Sequence, residues 1–214
     1  MKQLLLRLFE ECLAADYREV ENAASYAYRR ERADTGERLA IFFEKSHGVT
    51  DWLNNLDFSA QPYEEMDPVW KCHAGFLRVW NSVKKYLTPH MLDPSIREVT
   101  VVGYSHGGAI AALCHEYLWF HRPDLREKLL GVGFGAPRVL YGCVPLEIAM
   151  RWDHFYVIRN ANDPVTHLPP RFTGYCHVGN LVEIGKKEDY NGVDAHRPES
   201  YLAELKKELR PSEN

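Results

Sequence analysis

The run Gly103-Tyr104-Ser105-His106-Gly107-Gly108 constrains this chain more than any other. It sits between the β-branched stretch Val99-Thr100-Val101-Val102 and a segment carrying Ile110, Leu113, Tyr117 and Leu118 at helical spacing. A strand that turns into a helix over so few residues brings backbone against backbone. The positions two before and two after the serine must then be small, and Gly103 and Gly107 meet that demand. Gly108, Ala109, Ala111 and Ala112 let the helix pack closely on a sheet. With 14 glycines and 8 serines among 214 residues, chance supplies such a triplet about 0.03 times.

The rest of the chain alternates strand and helix patterns. A helix is expected over residues 3–20, inside an opening segment 1–20, from Leu4, Leu5, Leu6, Phe9, Leu13 and Tyr17. Residues 26–29 and 38–43 flank the polar turn Asp34-Thr35-Gly36 and read as a hairpin. Helices follow at 76–87, 107–120, 145–152 and 198–209, and strands at 98–102, 129–134, 155–158 and 177–184. This order predicts an α/β fold over residues 1–214, one domain with a mostly parallel central sheet flanked by helices. Such sheets place their chemistry at the carboxyl ends of the strands.

Composition narrows the class. A chain of 214 residues buries roughly 70% of its surface without needing a metal or disulfide. Lys+Arg 26 against Asp+Glu 30 leaves a net charge of −4, which argues against a phosphate-backbone binder. No apolar run approaches the ~20 residues of a membrane span, and Arg7 ends the only leucine run at the start too early for a secretory signal. Cys12, Cys72, Cys114, Cys143 and Cys176 are odd in number and widely spaced, the pattern of reduced thiols in a cytoplasmic protein.

A serine at a tight strand-to-helix turn is a nucleophile only if a histidine takes its proton and an acid orients that histidine. The helix following the serine offers backbone N–H groups to a developing oxyanion. Asp163 lies just past the strand at 155–158, in Asn162-Asp163-Pro164, and is the expected acid. Asp153 precedes that strand, and Asp124 reads as a helix cap. Among ten histidines, His47, His73, His90, His106 and His115 fail the chain order Ser, acid, His. His121 ends the serine's helix, His154 precedes a strand, and His167 stands four residues from Asp163. Two remain. The segment 185–195 has 11 residues and spans ~36 Å when extended, so His196 can reach either sheet edge and is preferred. His177 opens a strand and stays as the alternative.

Several blocks together resemble the class 3, fungal-type lipases of the α/β-hydrolase fold. They are Phe43-Glu44-Lys45-Ser46 with Asp51-Trp52, His73-Ala74-Gly75-Phe76, the serine turn, and Phe134-Gly135-Ala136-Pro137-Arg138. Asn162-Asp163-Pro164-Val165-Thr166-His167-Leu168-Pro169-Pro170, Gly174-Tyr175-Cys176-His177, and Asp194-Ala195-His196 with Ser200-Tyr201-Leu202 complete the set. The resemblance implies a serine ester hydrolase in which Ser105, Asp163 and His196 are catalytic and His177 is scaffold. It also implies Ser46 and the backbone N–H of His106 as oxyanion donors. The family usually carries Phe-Arg-Gly before the Ser46 position, where this chain has Phe43-Glu44-Lys45. That departure keeps a non-catalytic scaffold in play, beside the same triad acting on thioester, amide or lactone bonds. In the family the segment after the oxyanion loop is a lid, and residues 47–60 interleave Trp52, Leu53, Leu56 and Phe58 with Asp51, Asn54, Asn55 and Asp57. No metal or organic cofactor is implied. Asp189-Tyr190-Asn191-Gly192-Val193-Asp194 lacks the terminal glutamate of a calcium loop. The expected partner is a small-molecule or lipid ester, met in transient contact with a lipid surface.

Overall fold

Five strands with apolar alternation run parallel and end at one edge, which is where the serine turn lies. The computed structural model describes residues 2–20, 25–34, 36–44, 58–143 and 145–207. In chain order the elements are α1 (Lys2–Ala14), β1 (Arg18–Glu19), β2 (Ser25–Ala33), β3 (Gly36–Phe43), β4 (Ala60–Pro62), β5 (Lys71–His73) and α2 (Ala74–Met91). Then come β6 (Ile96–Tyr104), α3 (His106–His121), β7 (Leu129–Phe134), β8 (Leu140–Tyr141), α4 (Leu146–Ala149) and β9 (Phe155–Asn160). β10 (Tyr175–Cys176), β11 (Asn180–Ile184) and α5 (Pro198–Lys207) close the chain. The main sheet has the order β1-β2-β3-β6-β7-β9-β11. β1, β2 and β3 pair antiparallel, and β3, β6, β7, β9 and β11 are parallel. The register sets Phe43 opposite Gly103 and Tyr104 opposite Phe134, so the carboxyl ends of β3, β6 and β7 are level. A second sheet, β10-β8-β5-β4, is antiparallel.

Strand alternation divides the core in two. Leu39, Ile41, Val99, Val101 and Val157 face α2 and α3. Phe42, Val102, Tyr104, Phe134 and Ile158 face α1 and α5. Residues His106–Leu118 of α3 are buried all round, as expected for a helix with apolar residues on every side. One charge goes in with them. Arg151 donates to Glu116 at 2.7 Å and to the carbonyl of Asp67 at 2.6 Å, and Trp70 Nε1 donates to the same carboxylate at 3.3 Å. Glu116 is fully buried, so Arg151→Met strands a carboxylate. It is expected to cost about 3–5 kcal/mol, read as a lower urea midpoint with unchanged slope.

Three differences from the expected elements have local causes. The first helix stops at Ala14, not near residue 20, because Tyr17 turns back and donates its hydroxyl to the carbonyl of Cys12 at 2.6 Å. Residues Arg18–Glu19 then join the sheet as β1. The strand expected over 177–184 is split: Tyr175–Cys176 pairs in the small sheet and Asn180–Ile184 in the large one. Gly179 between them has φ +66°, and a Cβ there would lie 2.2 Å from the carbonyl oxygen of Phe155. The small sheet leaves no signature in the sequence, since strands of two or three residues show no periodicity. Among the described residues no helix is long and apolar enough to cross a membrane.

Candidate active site

Ser105 follows the last residue of β6 and precedes α3, with φ 58° and ψ −127°. A side chain in that region costs about 1–3 kcal/mol, and neighbouring contacts hold it there. The Ser105 N–H donates to the carbonyl of Phe134 at 2.8 Å, and Gly108 N–H donates to the Ser105 carbonyl at 2.9 Å. The two flanking glycines are required sterically. A Cβ on Gly103 would sit 2.1 Å from the carbonyl oxygen of Gly107, and one on Gly107 would sit 2.2 Å from that of Phe43. Gly107→Ala is therefore expected to lower stability by about 1–3 kcal/mol through overpacking. An unchanged denaturation midpoint would show that the turn has slack.

β6, β9 and the segment before α5 converge on this turn. His196 Nε2 lies 2.8 Å from Ser105 Oγ, and His196 Nδ1 lies 2.7 Å from Asp163 Oδ2. Ser105, Asp163 and His196 are 1%, 0% and 8% exposed, so these contacts are shielded from competing water. Asp163 sits three residues past β9 and caps a 3₁₀ turn, its Oδ1 accepting from Val165 N–H at 2.9 Å. Its Oδ2 also accepts from the Tyr201 hydroxyl at 2.6 Å. Burial, with the Asp163 charge next, holds the Tyr201 pKa well above its ordinary value, so the phenol stays a donor. His196 is held through its main chain: Asn160 Nδ2 donates to the Ala195 carbonyl at 2.9 Å and Tyr104 donates to that of His196. Gly135, at φ +57°, passes beneath, where a Cβ would come within 3.0 Å of both Asp163 Oδ2 and the His196 ring.

The competing histidines have other partners. His177 Nε2 donates to the carbonyl of Thr166 at 2.8 Å, and burial pushes its pKa down to about 4. Thr166 in turn donates to the Asp163 carbonyl at 2.8 Å. His177 thus braces the loop of Asp163, and the hydrogen bonds to Ser105 and Asp163 belong to His196. His73 caps α2, its Nδ1 accepting from Gly75 N–H at 3.1 Å. His115 is buried against Phe155 and pushed down to about 3 by burial. His106 opens α3, where backbone N–H groups point out of the helix end. Ser46 and the lid-like segment up to residue 57 lie outside the described residues.

Sequence reasoning did not assign roles to Tyr104, Gly135, Asn160 or Tyr201. Tyr201 carried a signal, since it stands five residues after His196 in the helix that follows. The others depend on contacts between distant strand ends.

Residues 40–173 match the family described as Lipase (class 3). A lipase of Rhizomucor miehei is 30% identical over 154 residues, covering 69% of this chain and 42% of that protein. A secreted mono- and diacylglycerol lipase of Fusarium solani is 28% identical over 149 residues, covering 66% and 42%. The chain thus spans less than half the length of these curated relatives. In fold, a solved Rhizomucor miehei lipase–propeptide complex aligns with TM-score 0.72 at 22% identity, over 96% of this chain and 80% of that one. A triacylglycerol lipase described as having a serine protease triad at its catalytic centre aligns with TM-score 0.64 at 28% identity, over 76% and 61%. With an α/β sheet of the same build and a family match across most of its length, the chain belongs to the class 3 lipase family.

Proposed function

We propose that this chain is a serine carboxylic-ester hydrolase, with Ser105 as nucleophile, His196 as base and Asp163 as orienting acid. The observation that carries the reading is the continuous relay from Ser105 Oγ through both His196 nitrogens to Asp163. Ser105 Oγ attacks the ester carbonyl carbon while His196 Nε2 takes its proton, and Asp163 stabilises the imidazolium that forms. The imidazolium returns the proton to the departing alcohol, leaving an acyl-serine. Water, deprotonated by the same nitrogen, then releases the acid. The backbone N–H of His106 and Ser46 are the proposed oxyanion donors, each worth about 10²–10³ in rate.

The substrate side of the proposal is an acyl ester of lipid type, in line with the names of the relatives. Five cysteines without a disulfide partner are the basis for placing the chain in a reducing cytoplasmic setting. The name of the Fusarium relative points to secretion instead, and subcellular fractionation of the native host decides between them.

The test is covalent labelling. A fluorophosphonate probe is expected to add one mass equivalent to the intact chain, on the peptide containing Ser105, and nothing to a folded Ser105→Ala variant. A folded chain that never labels would support the scaffold reading. Nitrophenyl esters of increasing chain length, run beside thioester, amide and lactone analogues, then fix the acyl class.

A further inference from the structure

Tyr104 immediately precedes the nucleophile, yet its ring and its hydroxyl both engage His196. The ring lies against the imidazole with centroids 5.2 Å apart and planes 21° from parallel. The hydroxyl donates to the carbonyl oxygen of His196 itself. Strand alternation sends this side chain to the face covered by α1 and α5, opposite to the face on which α3 packs. There it is wedged. Phe9 of α1 stands edge-on to it at 5.4 Å, and Tyr201 of α5 meets it at 6.1 Å. The phenol is held neutral by burial and, after that, by the charge of Asp163.

We propose that Tyr104 is a positioning residue for the base, its hydroxyl fixing the main chain at position 196 and its ring face stabilising the imidazolium. The reason is geometric. Ser105 Oγ and Tyr104 hang from consecutive residues of one rigid turn and engage the same histidine at its edge and at its face. Nucleophile and base are therefore aligned by a single piece of backbone. A positive charge forming on the imidazole is attracted to the electron-rich face of the phenol ring. Among the described residues, the titratable or hydroxyl side chains hydrogen-bonded to His196 are Asp163 and Ser105 on its two nitrogens, with Tyr201 reaching it through Asp163. Glu199 acts on Tyr104 from α5, and the neighbouring Arg197 is paired with Asp194 at 2.9 Å.

The catalytic consequence rests on the ester-hydrolase reading, but the geometry can be tested without turnover. In a Ser105→Ala background, the His196 ring titration is followed by NMR with Tyr104 present, as Tyr104→Phe and as Tyr104→Leu. Loss of the ring in Tyr104→Leu is expected to lower the midpoint by about half to one pH unit, and Tyr104→Phe, which keeps the ring, to leave it in place. In the Ser105 chain, both substitutions are expected to slow fluorophosphonate inactivation about 3–10-fold. A folded Tyr104→Leu variant with an unmoved titration would reduce the ring to packing and overturn the proposal. If Tyr104→Leu does not fold, Tyr104→Phe decides, and inactivation at the original rate overturns the role of the hydroxyl. An unmutated chain that does not react with the probe would instead sink the ester-hydrolase reading, while the titration still reports on Tyr104.

Discussion

On the proposed mechanism, His196→Ala is expected to lower kcat for a soluble nitrophenyl ester by at least ~10³-fold, because the members of a serine triad act as a unit. The fold should survive the change. The carboxylate left behind keeps the Val165 N–H on Oδ1 and the Tyr201 hydroxyl on Oδ2. Activity loss and unfolding can therefore be separated by measuring kcat beside the thermal midpoint. His177→Ala supplies the contrast. Its imidazole donates to Thr166 and touches no reacting atom, so its loss should show in stability and stay within ~10-fold in rate. Near-normal turnover in His196→Ala, with collapse in His177→Ala, would move the base to the other histidine.

Asp163→Asn is expected to cost about 10⁴ in kcat with little change in KM. An amide is nearly the same size as the carboxylate and still accepts from Val165 N–H, so the 3₁₀ turn that Asp163 caps is kept. What fails is the proton arrangement. The edge facing His196 Nδ1 and the Tyr201 hydroxyl must accept from both, and an NH₂ there cannot. The imidazole then shifts its proton to Nε2, and that nitrogen can no longer receive one from Ser105. A rate within ~10-fold of the starting chain would show that Asp163 only shapes its loop.

Much of this site was legible because its demands are local. Gly103 and Gly107 flank a turn whose backbone leaves no room for Cβ atoms, and that requirement is written in adjacent letters. Asp163 stands out as a candidate from its place past a strand, a property of one segment and its proline. His196 was harder. Its partners lie 33 and 91 residues away in sequence, and loop length alone left His177 open until the family likeness chose. Tyr104, Asn160 and Gly135 stayed invisible as site residues because a strand pattern says which face a residue takes and not what arrives there. The strands of the second sheet are too short to show a period, and the first helix ends sooner than its apolar pattern suggests because the Tyr17 hydroxyl, and not a glycine or proline, ends it.

Phe9 and His196 both fall outside the stretch that carries the family match. A fragment trimmed to residues 40–173 would retain Ser105 and Asp163 but lack the imidazole proposed to take the serine proton and hand it to the leaving alcohol. It would also expose the aromatic underside of the site, where Phe9 meets Tyr104, Phe134 and Tyr201. Anyone shortening this protein for expression, or fusing it to another, should treat its two outer helices as part of the working apparatus and place joins beyond them.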